Sequence, residues 1–146
     1  HCRNSLSIML YELIYRSTAK PGLTDQDLED ILKTARDFNQ TNNLTGCLLY
    51  HGGQFLQLLE GDFQILLDLY DRIKRDSRHR EFLLLHMKET DQRVYTDWTM
   101  AFKSLDQNQL GKYSSVTEFT ELVTNEKESS MSKELFQAIS ADLVSG

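Results

Sequence analysis

Apolar positions recur along the chain in two rhythms, every second residue in short runs and every third or fourth in longer ones. The first run, MLYELIYRS over Met9–Ser17, mixes aliphatic, aromatic and polar residues as a strand does. A period of two places Tyr11, Leu13, Tyr15 and Ser17 on one face. KPGLT then breaks the chain, and Thr24 with Asp27 offers a capping-box start. Beyond it Leu28, Ile31, Leu32, Ala35 and Phe38 trace one face of a helix that runs to about Asn42. At about 100° per residue, Asn39 falls inside that apolar stripe, between Leu28 and Leu32. LTGCLLY, HGG and QFLQLLEG follow, two strands joined by a Gly-Gly hairpin. In the second of them Phe55, Gln57 and Leu59 share a face. A second helix begins after Gly61, with Asp62 as N-cap and Ile65, Leu66, Leu69, Tyr70 and Ile73 as its stripe. EFLLLHM and WTMAF read as strands four and five, with Trp98 and Met100 on one face of the fifth.

The order β-α-β-β-α-β-β predicts an α+β ferredoxin-like sandwich with a mixed sheet. Both helices cover one face, with strands one and three as parallel neighbours. The other face needs a cover, and residues 105–146 supply it. SKELFQAISADLV places Leu135, Phe136, Ile139 and Leu143 at helical spacing, and SSVTEFTELV is a shorter helical candidate.

Composition narrows the class. A chain of 146 residues, 40% hydrophobic, predicts one domain with its own core and no second domain. No run of about 18 apolar residues is present, so no membrane span is expected. The net charge of 16 − 22 = −6 argues against direct nucleic-acid binding, which phosphate contacts dominate. Two cysteines argue against a disulfide framework and for a cytoplasmic protein. Residues 1–8 show no periodicity and no secretory signal. They read as an appended remnant, with Met9 as the native start.

Tyr15, Asn39 and Gln57 point toward one space between sheet and helices. Buried phenols and amides need partners, so they either satisfy one another and the backbone or line a pocket for a flat heteroaromatic ligand. RIKRDSRHR carries five Arg or Lys in nine residues. Lys74 and Arg75 suit the negative end of the second helix. Arg72, Arg78 and His79 suit a phosphate or ribityl chain. Enzyme constellations are poor. The four His and two Cys lack metal-ligand spacing, and Cys47 reads as inert core. No phosphate-cradling loop or nucleophile elbow is present. Glu60 beside Gly61 reads as a strand-ending residue.

Several of these segments together resemble one family. LIYRSTA, Asn39 followed by LTGCLLY, QFLQLLEG, DSRHR and DWTMAF are similar, in order and spacing from Met9 to about Phe102, to the BLUF domain, a blue-light sensor that uses FAD. The resemblance implies that the flavin lies between the two helices. It makes Tyr15 the photoactive tyrosine and Gln57 the glutamine beside it, with Asn39 anchoring the ring. Ile31 and Phe55 line the ring, and Arg72, Arg78 and His79 serve the ribityl and phosphate groups. Trp98 and Met100 match a mobile pair that relays the signal. Tyr95 is a departure, since the family often has Phe there. In similar proteins light moves an electron and then a proton from the tyrosine, leaving the glutamine in a new rotamer or tautomer. The expected protein is a short, stand-alone, non-enzymatic photoreceptor. Residues 9–104 form its flavin-binding domain and 105–146 a C-terminal helical extension. Its output goes to a downstream signalling protein or to its own oligomeric state as a homo-oligomer. A small flavin-dependent enzyme and a plain ferredoxin-like interaction module are the alternatives.

Overall fold

The computed structural model describes residues 9–124 and 126–145, so the remnant expected at 1–8 lies outside the described residues. The elements are β1 (Leu10–Ala19), α1 (Asp25–Thr41), β2 (Thr45–His51), β3 (Gln54–Asp62), α2 (Phe63–Ile73), β4 (His79–Glu89), β5 (Ala101–Ser104), α3 (Gln107–Tyr113), a 3-10 turn (Phe119–Glu121) and α4 (Glu126–Ser145). The helix starts are set by the expected caps. Thr24 and Asp27 exchange side-chain and backbone bonds, and the Asp62 carboxylate accepts from the Ile65 N–H.

One five-stranded sheet runs in the order β4-β1-β3-β2-β5. β1 and β3 are antiparallel, with Tyr15 directly opposite Gln57, which corrects the parallel pairing expected for them. The reason is topological. The crossover through α1 leaves β1 and β2 running the same way, and the tight hairpin then reverses β3 between them. β5 pairs parallel with β2. It is four residues long and begins at Ala101, so Trp98 and Met100 precede the strand rather than sharing a face of it. Gly46 on β2 meets both this segment and the backbone of β3. The Gly46 N–H donates to the Trp98 carbonyl at 3.0 Å, and a Cβ at Gly46 would overlap the Leu58 carbonyl oxygen.

Each sheet face has its own core. Leu13, Tyr15, Leu48, Phe55 and Leu59 pack under α1 and α2 with Leu32, Leu66 and Leu69. Ile14, Cys47, Leu49, Leu56 and Leu58 pack on the other face against Leu110, Phe119, Leu135, Phe136 and Ile139. The C-terminal cover is therefore where the pattern put it, although SSVTEFTELV contributes only the short 3-10 turn. A buried charge cluster ties that cover down. Glu12, 3% exposed, binds the His86 Nε2 at 2.7 Å and the Lys133 Nζ on α4. Burial pushes the Glu12 carboxyl up, but the His86 and Lys133 hydrogen bonds outweigh it and hold it below the usual range. Among the described residues no helix is long and apolar enough to cross a membrane.

Candidate functional site

Strand alternation aims Tyr15 and Gln57 at α1 and α2, and antiparallel register sets them side by side. The Tyr15 hydroxyl donates to Gln57 Oε1, and Gln57 Nε2 donates to the Met100 sulfur at 3.4 Å. Tyr15 is 1% exposed, with the Tyr70 and Phe82 rings at 5.4 and 5.7 Å. Burial first, then the Tyr70 and Asp76 charges, drive its acidity far down, so the proton stays on Oη. Asn39, fully buried in the α1 stripe, spends Nδ2 on the Thr99 carbonyl at 2.6 Å. Its Oδ1 is buried with no partner.

A cavity of about 190 Å³ opens between α1, α2 and the sheet. Tyr15, Ile31, Asn39, Phe55, Gln57, Arg72, Arg78 and His79 all line it, so the structure gathers every expected cofactor-binding residue at one place. Asp76 joins them and occupies Arg78, whose guanidinium lies 2.6 Å from its carboxylate. The Arg72 guanidinium stacks 4.7 Å over Phe38. His79 faces the Ser17 hydroxyl at 3.1 Å and the Phe55 ring edge-on at 5.4 Å. Burial pushes His79 down to about 4, so at neutral pH it is an uncharged hydrogen-bonding group.

That shift has a measurable consequence. A ring held at about 4 in the fold and at 6.5 when free favours folding fully above pH 6.5. The contribution is lost as pH falls toward about 4, and is worth about 3 kcal/mol. Urea titrations of the cofactor-free protein across that window should lose stability, and His79→Leu should flatten the loss. An unchanged pH dependence in the mutant would assign it to other groups.

The two signal-relay candidates are not brought together. Met100 is 1% exposed and packs behind Gln57, whereas Trp98 is 40% exposed; neither lines the cavity itself. Their carbonyls and that of Thr99 are pinned in sequence. Trp98 accepts from the Gly46 N–H, Thr99 from Asn39, and Met100 from Arg36 Nε at 3.1 Å. Arg36 is a participant that the pattern did not reveal. Glu60 is another. Fully buried at the end of β3, its carboxylate accepts from the Val94 N–H, the Tyr95 N–H at 3.0 Å and the Thr45 hydroxyl at 2.9 Å. Arg93 adds a bond from Nη1 to the Glu60 carbonyl at 3.1 Å. Glu60 thus clamps the β4–β5 connection. In the sequence, only a charged residue inside an apolar run marks it.

The chemistry of the lining suits a flavin. Apolar walls accept a flat ring, and the unpaired Asn39 Oδ1 is an acceptor for an imide N–H. Arg72 supplies positive charge for a phosphate, whereas the Arg78 guanidinium is already paired with Asp76. Among the described residues no group of three His, Cys, Asp or Glu could hold a metal.

Comparison with known proteins agrees with this chemistry. The family model described as BLUF, sensors of blue-light using FAD, matches residues 10–101. The photoactivated adenylate cyclase subunit beta of Euglena gracilis is 38% identical over 92 residues, which are 62% of this chain. The chain spans about 11% of that relative's length. The dark-state structure of the BLUF protein BlrB superposes with a TM-score of 0.76 at 27% identity, covering 92% of this chain and 98% of that one. The photo-activated state of BlsA gives 0.73 at 29% identity, covering 88% and 95%.

Proposed function

The chain belongs to the BLUF family, the sensors of blue light using FAD, and on that premise we propose that its switch is the buried relay Tyr15–Gln57–Met100. The observation that carries this reading is that Gln57 spends both ends of its amide inside the core, Oε1 on Tyr15 and Nε2 on Met100. FAD, when bound, supplies the absorption of blue light and the acceptance of an electron. Tyr15 keeps its proton on Oη in the resting protein, and a proton leaving Oη meets Gln57 Oε1 first. Asn39, Ile31 and Phe55 hold the ring system, and Arg72, Arg78 and His79 serve the phosphate-bearing side.

The Gln57 amide has two discrete arrangements. Turned over, it sets Nε2 against the Tyr15 hydroxyl oxygen, which can accept. The same turn aims Oε1 at the Met100 sulfur, which has no proton to give. A buried oxygen without a partner costs about 1–3 kcal/mol, so the turned amide disfavours Met100 where it sits. Light therefore biases the Trp98–Met100 segment through one contact. In this reading residues 9–104 form the flavin unit, and residues 105–146 pass the bias to a signalling partner or a second copy of the chain. A cytoplasmic setting fits Cys47, which is a free, buried thiol.

The test is an absorption spectrum of the purified chain before and after blue light, followed by cofactor extraction. A flavin spectrum with a reversible red shift, and FAD in the extract, is the expected result. Protein that stays colourless when FAD is supplied overturns the binding reading. Flavin-loaded protein without a reversible shift overturns the switch.

A further inference from the structure

Tyr95 lies between the two halves of the molecule, and its hydroxyl faces the C-terminal helix. Tyr95 is 1% exposed, and its Oη donates to the Phe136 carbonyl on α4 at 2.7 Å. The two rings meet edge to face at 6.4 Å. The main chain of the same residue is held at the other end. Its N–H donates to Glu60 Oε1 at 3.0 Å, and its carbonyl accepts from the Trp98 N–H at 3.2 Å. Tyr95 thus opens the turn that leads into Trp98–Met100, while the tip of its ring rests on the C-terminal helix.

Two routes lead from that segment to α4. The covalent one runs through β5, which is paired with β2 from Cys47 to Tyr50 and closed by the Leu105 N–H on the Tyr50 carbonyl at 2.9 Å. A strand fixed by a ladder on its neighbour resists displacement. The other route bypasses the ladder. Through Tyr95 a shift of the turn moves a rigid ring whose far end is bonded to α4.

We propose that Tyr95 is the positioning residue that transmits a displacement of the Trp98–Met100 segment to α4, through its hydroxyl on the Phe136 carbonyl; this rests on the switch reading above. The ring without its hydroxyl still fills the core between β2 and α4, so Tyr95→Phe keeps the packing and removes the link, together with the hydroxyl's polar contact to the Cys47 thiol on β2. Proximity alone does not establish coupling, and the test must read a difference between two states.

Amide hydrogen exchange of the FAD-loaded full chain, in the dark and under blue light, supplies it. In the wild type, α4 from Ser132 to Leu143 should exchange differently in the two states. In Tyr95→Phe that lit–dark difference should be largely lost, because the bond that carries it is gone. The red shift should persist, because Tyr15, Gln57 and Met100 are untouched. Tyr113→Phe is the control, since the Tyr113 hydroxyl tethers the same helix through Asp142. It should leave the lit–dark difference in place. A full difference in Tyr95→Phe overturns the proposal, as does an equal loss in both variants, which would mean that any loosening of α4 suffices. A wild type that shows its red shift but no difference in α4 overturns the C-terminal route, and the role of Tyr95 with it. A wild type with no red shift overturns instead the switch on which the proposal rests.

Discussion

Replacing Tyr15 by Phe leaves the flavin bound and abolishes the light-induced shift. The ring contacts with Tyr70 and Phe82 need no hydroxyl, so the wall of the cavity survives. What disappears is the proton that Tyr15 holds against Gln57 Oε1, together with an easily oxidised phenol. The Gln57 oxygen is left buried without its donor, which costs about 1–3 kcal/mol of stability. A light-minus-dark absorption spectrum checks the main effect, and a urea titration checks the secondary one. A reversible shift of normal size in the mutant removes Tyr15 from the switch.

Gln57→Leu has an effect of the same size by a different route. The side chain keeps about the same bulk but loses both amide groups, so the Tyr15 hydroxyl loses its acceptor and the Met100 sulfur its donor. FAD affinity should fall by about fivefold, the loss expected if the second Nε2–H, which Met100 does not use, donates one neutral hydrogen bond to the flavin. The shift should vanish, and the lit–dark exchange difference in α4 should vanish with it. Met100→Ala separates the two readouts. It retains Tyr15 and Gln57, so the shift persists while the difference in α4 is blunted. A Gln57→Leu protein that still cycles would show that the amide is not the switching element.

Much of this was legible in the chain because the signals were local. Thr24 with Asp27, Asp62, and the Gly52-Gly53 turn each fix an element within a few residues, and the structure uses all of them. Alternation then carried Tyr15 and Gln57 to the correct face, and helical periodicity carried Asn39 there. The misreadings fall where long-range bonds overrule local pattern. Trp98 and Met100 are two residues apart and would share a face in a strand. Their backbone instead answers to Gly46, Asn39 and Arg36, and the two side chains part. Glu60 reads locally as a strand-ending residue, yet it and Glu12 are buried because the Val94 and Tyr95 amides, or His86 and Lys133, come to them from far along the chain. α3 was missed although Asp106 and Gln109 form a capping box, because Leu110 is its only buried residue and no stripe accompanies it.

The parting of Trp98 from Met100 gives the molecule an optical reporter of its own. Trp98 is the only tryptophan in the chain, and it sits exposed two residues from Met100, the partner of Gln57. Ultraviolet-excited indole emission therefore arises at one known position, with no label to attach and no second indole to subtract. An indole facing water emits toward the red, and one drawn into an apolar cavity emits toward the blue. If Met100 yields its place and the indole moves inward, the emission shifts to the blue and dims as the ring nears a bound flavin. The Trp98–Met100 segment can thus be followed in real time, at concentrations far below those that exchange measurements need.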